Sequence, residues 1–227
     1  MTKAQLIIDL KNMIGPAGKG SEVGNPGFTT WLNDAYELCV SAIINTIPDY
    51  FTKKATSSSI ANQTEYDLPS DFEKVVMVSV SYDGTNFVRA FPLNSVSQAT
   101  DIQQSATANF TIDKPFYYLY GGRIGFQPGF TQTLSNNIKL WYVYMPALMV
   151  DDEDSPDLPR RFQSILKYGA YANYLDQNDE HGAAERMRLR FDAMVERLVM
   201  QLSDQQVDQP RSVEVWEDDQ GLYLNDF

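Results

Sequence analysis

One cysteine and one histidine are all that these 227 residues hold of two side chains much used for metal binding and nucleophilic catalysis. Cys39, alone, can form no intrachain disulfide and no thiolate metal cluster. It sits in an apolar helical pattern, which makes it a small buried side chain. His181, alone at a helix start beside Gly182, leaves no two- or three-histidine metal site. No Gly-x-Ser-x-Gly serine accompanies it for a nucleophile–base pair. Bases are scarce as well: 18 Lys and Arg stand against 30 Asp and Glu, a net charge of −12. Phosphate binding needs concentrated Lys and Arg, so a chain this acidic does not have nucleic-acid binding as its main activity. Long apolar runs are missing too. None approaches the roughly 20 residues that cross a bilayer, and Asp9, Lys11 and Asn12 break the apolar pattern where a signal peptide would have its core. The expected setting is a cytoplasm, with no membrane.

Other catalytic and cofactor patterns fail on spacing. Gly15-Pro16-Ala17-Gly18-Lys19-Gly20-Ser21 is too short for a phosphate loop, follows no strand, and has Gly20 where the hydroxyl should be. Gly121-Gly122-Arg123-Ile124-Gly125 falls inside a hairpin, not between a strand and a helix, so it is no dinucleotide fingerprint. Asp151-Asp152-Glu153-Asp154 lacks the alternating ligands and central glycine of a calcium loop and reads as a solvated acidic turn. No cofactor is implied. Carboxylates are plentiful enough to include a glycosidase pair, but no spacing singles one out. A cell-wall-degrading glycosidase stays as the enzymatic alternative to a non-enzymatic protein.

What is there is a change of period along the chain. Leu6, Ile7, Leu10, Met13 and Ile14 keep helical spacing and predict a helix over residues 2–14, ended by Gly15-Pro16. Glycines and prolines make 15–27 a loop. Phe28, Trp31, Leu32, Ala35, Leu38, Cys39, Ala42 and Ile43 predict a second helix, with Thr29 or Thr30 as its cap. After Pro69 the period falls to two. Strands are expected at 75–82, 87–91, 116–120, 123–127 and 138–145, with turns at Asp83-Gly84 and Gly121-Gly122. Residues 95–103 can form a short helix. Short turns make the sheet antiparallel. Ser155-Pro156-Asp157-Leu158-Pro159 reads as a helix start, and a helical hairpin breaks at Asn178-Asp179. The expected fold is α+β: a helical bundle from 1–55 and 146–202, an inserted antiparallel β block at 56–145, and an extended acidic tail at 203–227.

That tail carries seven acids and one base, half of the net charge. It has no core periodicity, yet it holds Val213, Val215 and Trp216, then Leu222, Tyr223 and Leu224. These can lie on a partner as a strand or as aromatic anchors; a solubilising disordered end is the other reading. Arg160, Arg161 and Lys167 come near Arg186, Arg188 and Arg190 if the hairpin closes. They form either a basic patch or a solvated helix face paired with Glu185, Asp192 and Glu196.

Four stretches, in this order, resemble a known family. They are Tyr66-Asp67-Leu68-Pro69-Ser70-Asp71-Phe72 before a strand; Gly122-Arg123-Ile124-Gly125-Phe126-Gln127-Pro128; the strand 138–145 followed by Pro146 and the acidic turn; and Asp157-Leu158-Pro159-Arg160-Arg161-Phe162 leading to Tyr168-Gly169-Ala170-Tyr171-Ala172 and an Arg-rich helix. Over about residues 28–202 the chain resembles the head-to-tail adaptors, or connectors, of short-tailed bacteriophages. The resemblance implies a structural virion protein at the head-to-tail junction. Such a protein forms a self-assembled ring, usually dodecameric, beneath the portal protein. The ring offers a platform to the tail nozzle and extends a channel through which DNA passes without specific binding. A nozzle or tail-completion protein of the same column is the alternative. In this reading Leu68, Pro69 and Phe72 form the junction where the chain leaves its helices for the β platform, Leu68-Pro69 fixing the bend and Phe72 anchoring it.

Overall fold

The computed structural model describes residues 1–15, 24–93 and 111–207. The expected helix at 95–103 and the tail residues Val213, Val215, Trp216, Leu222, Tyr223 and Leu224 lie outside the described residues.

Helix α1 (Lys3–Ile14) starts at a capping box in which Thr2 and Gln5 satisfy each other's backbone N–H groups. Helix α2 (Asn25–Thr46) begins earlier than its apolar pattern suggested, with Gly24 as N-cap and Pro26 in the first turn. Neither Thr29 nor Thr30 caps it; the Thr30 hydroxyl instead donates back to the Pro26 carbonyl. The glycine- and proline-rich composition of 24–27 hid a helix start, because proline fits where the backbone N–H would go unused anyway. Phe28, Leu32, Ala35, Tyr36, Cys39, Val40 and Ile43 form its buried face. Cys39 is enclosed, and burial pushes its thiol up to about 12, so it acts as a small apolar side chain.

After a 3-10 turn at Pro48–Phe51 the chain goes straight into the sheet. Seven strands form it: β1 (Thr52–Ser59), β2 (Glu65–Asp67), β3 (Phe72–Val80), β4 (Val88–Pro92), β5 (Phe116–Tyr120), β6 (Arg123–Gln127) and β7 (Leu134–Tyr144), in the spatial order β1-β7-β3-β4-β5-β6-β2. Two more helices follow, α3 (Leu166–Gln177) and α4 (His181–Val207).

This architecture corrects the expected fold class. The strands are the centre of the chain, not a small antiparallel block set into a helical bundle, and the sheet is mixed and curled. Phe91 and Pro92 of β4 run parallel to Phe116 and Tyr117 of β5. Two strands, β1 and β2, lie in polar stretches where no strand was expected. The third helix also starts later than expected: residues 156–162 form turns, and regular helix begins only after a 3-10 turn at Gln163–Ile165.

The curl follows from chain length. β2 and β3 are consecutive, yet four inter-strand spacings separate them in the sheet. Four spacings in a flat sheet come to about 19 Å. The five Cα steps from Asp67 to Phe72 reach at most about 18 Å, and the tight turn in which the Phe72 N–H donates to the Pro69 carbonyl shortens them further. The sheet must therefore bend until its β2 edge faces β3. Tyr66 of β2 accordingly packs in one cluster with Val78 and Val80 of β3, Phe126 of β6 and Ile138 of β7. Opposite Tyr118, Gly125 leaves room that no side chain could share: a Cβ there would lie 2.2 Å from the tyrosine ring.

A second apolar cluster joins the helices to the sheet. It contains Leu6, Leu10, Phe28, Leu32, Phe51, Ile165, Leu166, Phe191 and Leu198, and it includes Val143 from the end of β7. Helices α2, α3 and α4 meet at Gly169, where an added Cβ would sit 2.7 Å from Ala35 and 3.1 Å from the Phe191 ring. The hairpin between α3 and α4 breaks where the sequence indicated, with Asp179 at a left-handed φ of 61°.

Candidate functional site

Leu68, Pro69 and Phe72 stand between two strands of the sheet. The Leu68 N–H donates to the Gly122 carbonyl (3.0 Å), which extends the pairing of β2 with β6, and Phe72 opens β3 against Tyr144 of β7. The chain is thus already in the sheet when it reaches this turn. The passage from helix to sheet falls at Pro48–Thr52 instead, because β1 adds directly to β7 without an apolar pattern of its own.

Around that turn the polar groups are fixed. Asp71 accepts from Lys53 (2.9 Å) and from the Tyr142 hydroxyl (2.8 Å). The bond from Lys53, and then that from Tyr142, holds its carboxyl below the usual carboxylate range. Asp157 ties three elements together. Its N–H donates to the Tyr36 hydroxyl of α2 (2.8 Å), and its carboxylate accepts from the Tyr144 hydroxyl of β7. Burial pushes the Tyr36 phenol up to about 12, so it remains a neutral hydroxyl at any physiological pH.

The acidic turn 151–154 has a role its composition did not suggest. Lys3, only 7% exposed, donates its ammonium to the Val150 carbonyl and lies 3.1 Å from Asp152. The Lys3 and Ala4 N–H groups donate to the carbonyls of Asp154 and Asp152. The turn therefore receives the positive end of α1. Asp154 holds the turn itself, accepting from the Val150 and Asp151 N–H groups (both 2.7 Å), and these bonds keep its carboxyl below the usual range. Asp83, which accepts from Thr85, Asn86 and Ser81, is lowered likewise.

These lowered carboxyls give a pH prediction. Each has a native pKa below its ordinary value of 3.8. Their contribution is therefore complete above about pH 3.8 and disappears as pH falls through the lower native values. Urea unfolding should give nearly constant stability from these groups between pH 7 and 5 and a decline below 3.8. Asp154→Ala should be less stable than the parent at pH 7, with the gap closing in acid. A gap that widened in acid would contradict the assignment.

The arginines distribute themselves over α4 and the turn before α3. Arg160 is exposed. Arg161 lies over the Phe162 ring (4.9 Å) and lines a shallow groove with Ile165, Met194, Arg197 and Gln201. Arg190 lies over Tyr168 (4.5 Å), whose ring Lys167 also approaches while pairing with Asp9 of α1 (3.2 Å). Arg186 stands against Gly182 on the same flank as Arg190. Arg188 points to the other side and pairs with Asp176, which His181 also approaches (3.3 Å). Arg197 completes this set and was missed; its spacing of seven from Arg190 was the available signal. Among the described residues no group of three His, Cys, Asp or Glu could hold a metal ion, and no helix is long and apolar enough to cross a membrane.

Comparison with known proteins adds one match. The sequence pattern of a family described as SU10 adaptor protein fits residues 1–214. No curated protein matches the chain.

Proposed function

We propose, from the premise that this chain belongs to the SU10 adaptor protein family, that it assembles as a ring joining the capsid portal to the tail and extending the DNA channel. The family is one of phage head-to-tail adaptors, so the chain is a structural component of the virion and engages other head and tail proteins of the phage. The observation that carries the finer reading is the extent of the family match, which runs through both the helices and the sheet. The charge supports it: a net −12 suits a conduit for DNA, since a wall that bound phosphate tightly would hold the DNA back. Electron cryomicroscopy of purified particles tests this reading. Density for a closed ring between portal and tail is expected; absence of the chain from particles overturns it. A ring seated below another adaptor would make it a nozzle component.

The tail serves as the partner-binding segment in this proposal, through Val213, Val215, Trp216, Leu222, Tyr223 and Leu224. Spaced aromatic and aliphatic anchors on an acidic strand gain their burial from a neighbour. Deleting 208–227 is expected to leave the unfolding midpoint of the remaining chain unchanged and to weaken retention on purified portal about tenfold or more, a loss of at least ~1.4 kcal/mol. Equal retention by the shortened chain removes the tail from the contact.

A further inference from the structure

Helix α4 is the last helix of the chain among the described residues. It packs chiefly on α3 through Ala184, Phe191, Val195, Leu198 and Leu202 and leaves more than half of its circumference to solvent. Over residues 185–200 that open surface is sorted by charge; beyond it the exposed Asp204 falls back into the arginine sector. At 3.6 residues per turn, Arg186, Arg190 and Arg197 fall within a sector of roughly 40°. Glu185, Asp192 and Glu196 fall within another of about the same width, roughly 120° around the helix. All six are exposed, and none makes an ion pair among the described residues. Between the two rails runs an apolar strip, with Leu189 and Met200 each 64% exposed and Ala193 between them.

This sorting runs against the needs of an isolated helix. Arg186 and Arg190 are like charges four residues apart, and so are Asp192 and Glu196; such pairs destabilise a solitary helix, and Arg188, which has the spacing to relieve Glu185 and Asp192, is engaged by Asp176 instead. A partner that brings opposite charge to each rail removes the conflict.

We infer that the two charged rails of α4 form the contact between neighbouring copies of this chain, the arginine rail of one copy meeting the acidic rail of the next. The occupant is a second copy because this one surface carries both complementary halves. Copies set side by side with α4 parallel oppose acid to arginine at every contact. An antiparallel pair would set acid against acid. In a ring the contact is heterologous, so each copy keeps one rail free until the assembly closes, whereas a parallel two-fold pair would use both rails at once. This deepens the ring reading and rests on it, naming the surface through which the copies adhere.

Charge reversal tests the rails in the full-length chain. One variant carries Arg186→Glu, Arg190→Glu and Arg197→Glu, so both its rails are acidic. The other carries Glu185→Lys, Asp192→Lys and Glu196→Lys, so both are basic. All six sites are exposed, and Arg190→Glu gives up only the stacking on Tyr168; circular dichroism and unfolding midpoints verify that the fold is kept. Assembly is read by sedimentation at low ionic strength, alone and on purified portal. Wild type is expected to assemble, and each variant alone to self-associate at least about tenfold more weakly. An equimolar mixture of the two should assemble again, with copies alternating. Variants that assemble like wild type, or a mixture that stays apart, overturn the inference; so does a wild type that stays monomeric in both settings. Loss of DNA retention by the acidic variant with unchanged assembly would make the arginine rail a DNA contact instead. Assembly lost only on deleting 208–227 would move the contact to the tail. A charge-dependent oligomer closed at two copies keeps the rails and sinks the ring. A ring indifferent to both reversals keeps the ring and sinks the rails.

Discussion

Asn137→Leu should lower the stability of the folded chain by about 3–5 kcal/mol, measured by urea unfolding at neutral pH. Asn137 is wholly buried in β7, as are Ser59 at the end of β1 and Ser81 just past β3. Its side-chain oxygen accepts from the Ser59 N–H (2.7 Å), and its amide donates to the Ser59 hydroxyl (3.0 Å) and to the Ser81 carbonyl (2.9 Å). The pairing of β1 with β7 shifts register here, and Asn136 takes a left-handed φ of 54°. The side chain of Asn137 thus replaces ladder bonds that the bulge removes. Leucine has the same branched outline and is the larger side chain, so the cost is not a cavity. It is two or three buried polar groups left without partners, each worth about 1–3 kcal/mol. Ser57→Ala, at an exposed position of the neighbouring strand β1, should stay within about 0.5 kcal/mol. A leucine variant as stable as the parent would mean that water reaches the site.

Phe51→Ala should cost a similar amount, about 3–5 kcal/mol, for a different reason. Phe51 is 1% exposed and stands where the chain leaves α2 for the sheet. Its ring meets Tyr144 of β7 edge-on at 5.7 Å and Tyr50 at 4.9 Å. Removing it empties the joint between the helical cluster and the sheet. A double-mutant cycle with Tyr144→Leu should return a coupling of about 0.5–1.5 kcal/mol. Because this joint links the two apolar clusters, the helical signal of Phe51→Ala should fall at lower urea than that of the parent. Unchanged midpoints would place the joint elsewhere.

The helices and five of the strands were readable from apolar spacing, because each has one face against a core. β1 was not. Thr52–Ser59 reads Thr-Lys-Lys-Ala-Thr-Ser-Ser-Ser and offers no alternating apolar face; its place is set by β7, whose pattern recruits it. β2 is three residues long, too short for any period to show. The parallel pairing of β4 and β5 joins residues far apart in the chain, which local spacing does not encode. Among surface residues, the arginines of the hairpin were visible as a group. Their division between Asp176 on one side and the open flank of α4 on the other follows from helix phase and packing. The acidic turn looked like a solvated run because the lysine it receives lies nearly 150 residues upstream.

Among the described residues the curled sheet does not close and leaves two free edges, and both are unsuited to further strand addition. On the β1 side, Lys53 and Lys54 are exposed and the strand ends in a bulge. On the β2 side there are only three residues, with Asp67 exposed and paired to Arg123 across the strands. Charged, short or bulged edges are how open sheets avoid edge-to-edge aggregation. Many copies made together can therefore accumulate without their strands zipping into fibrils.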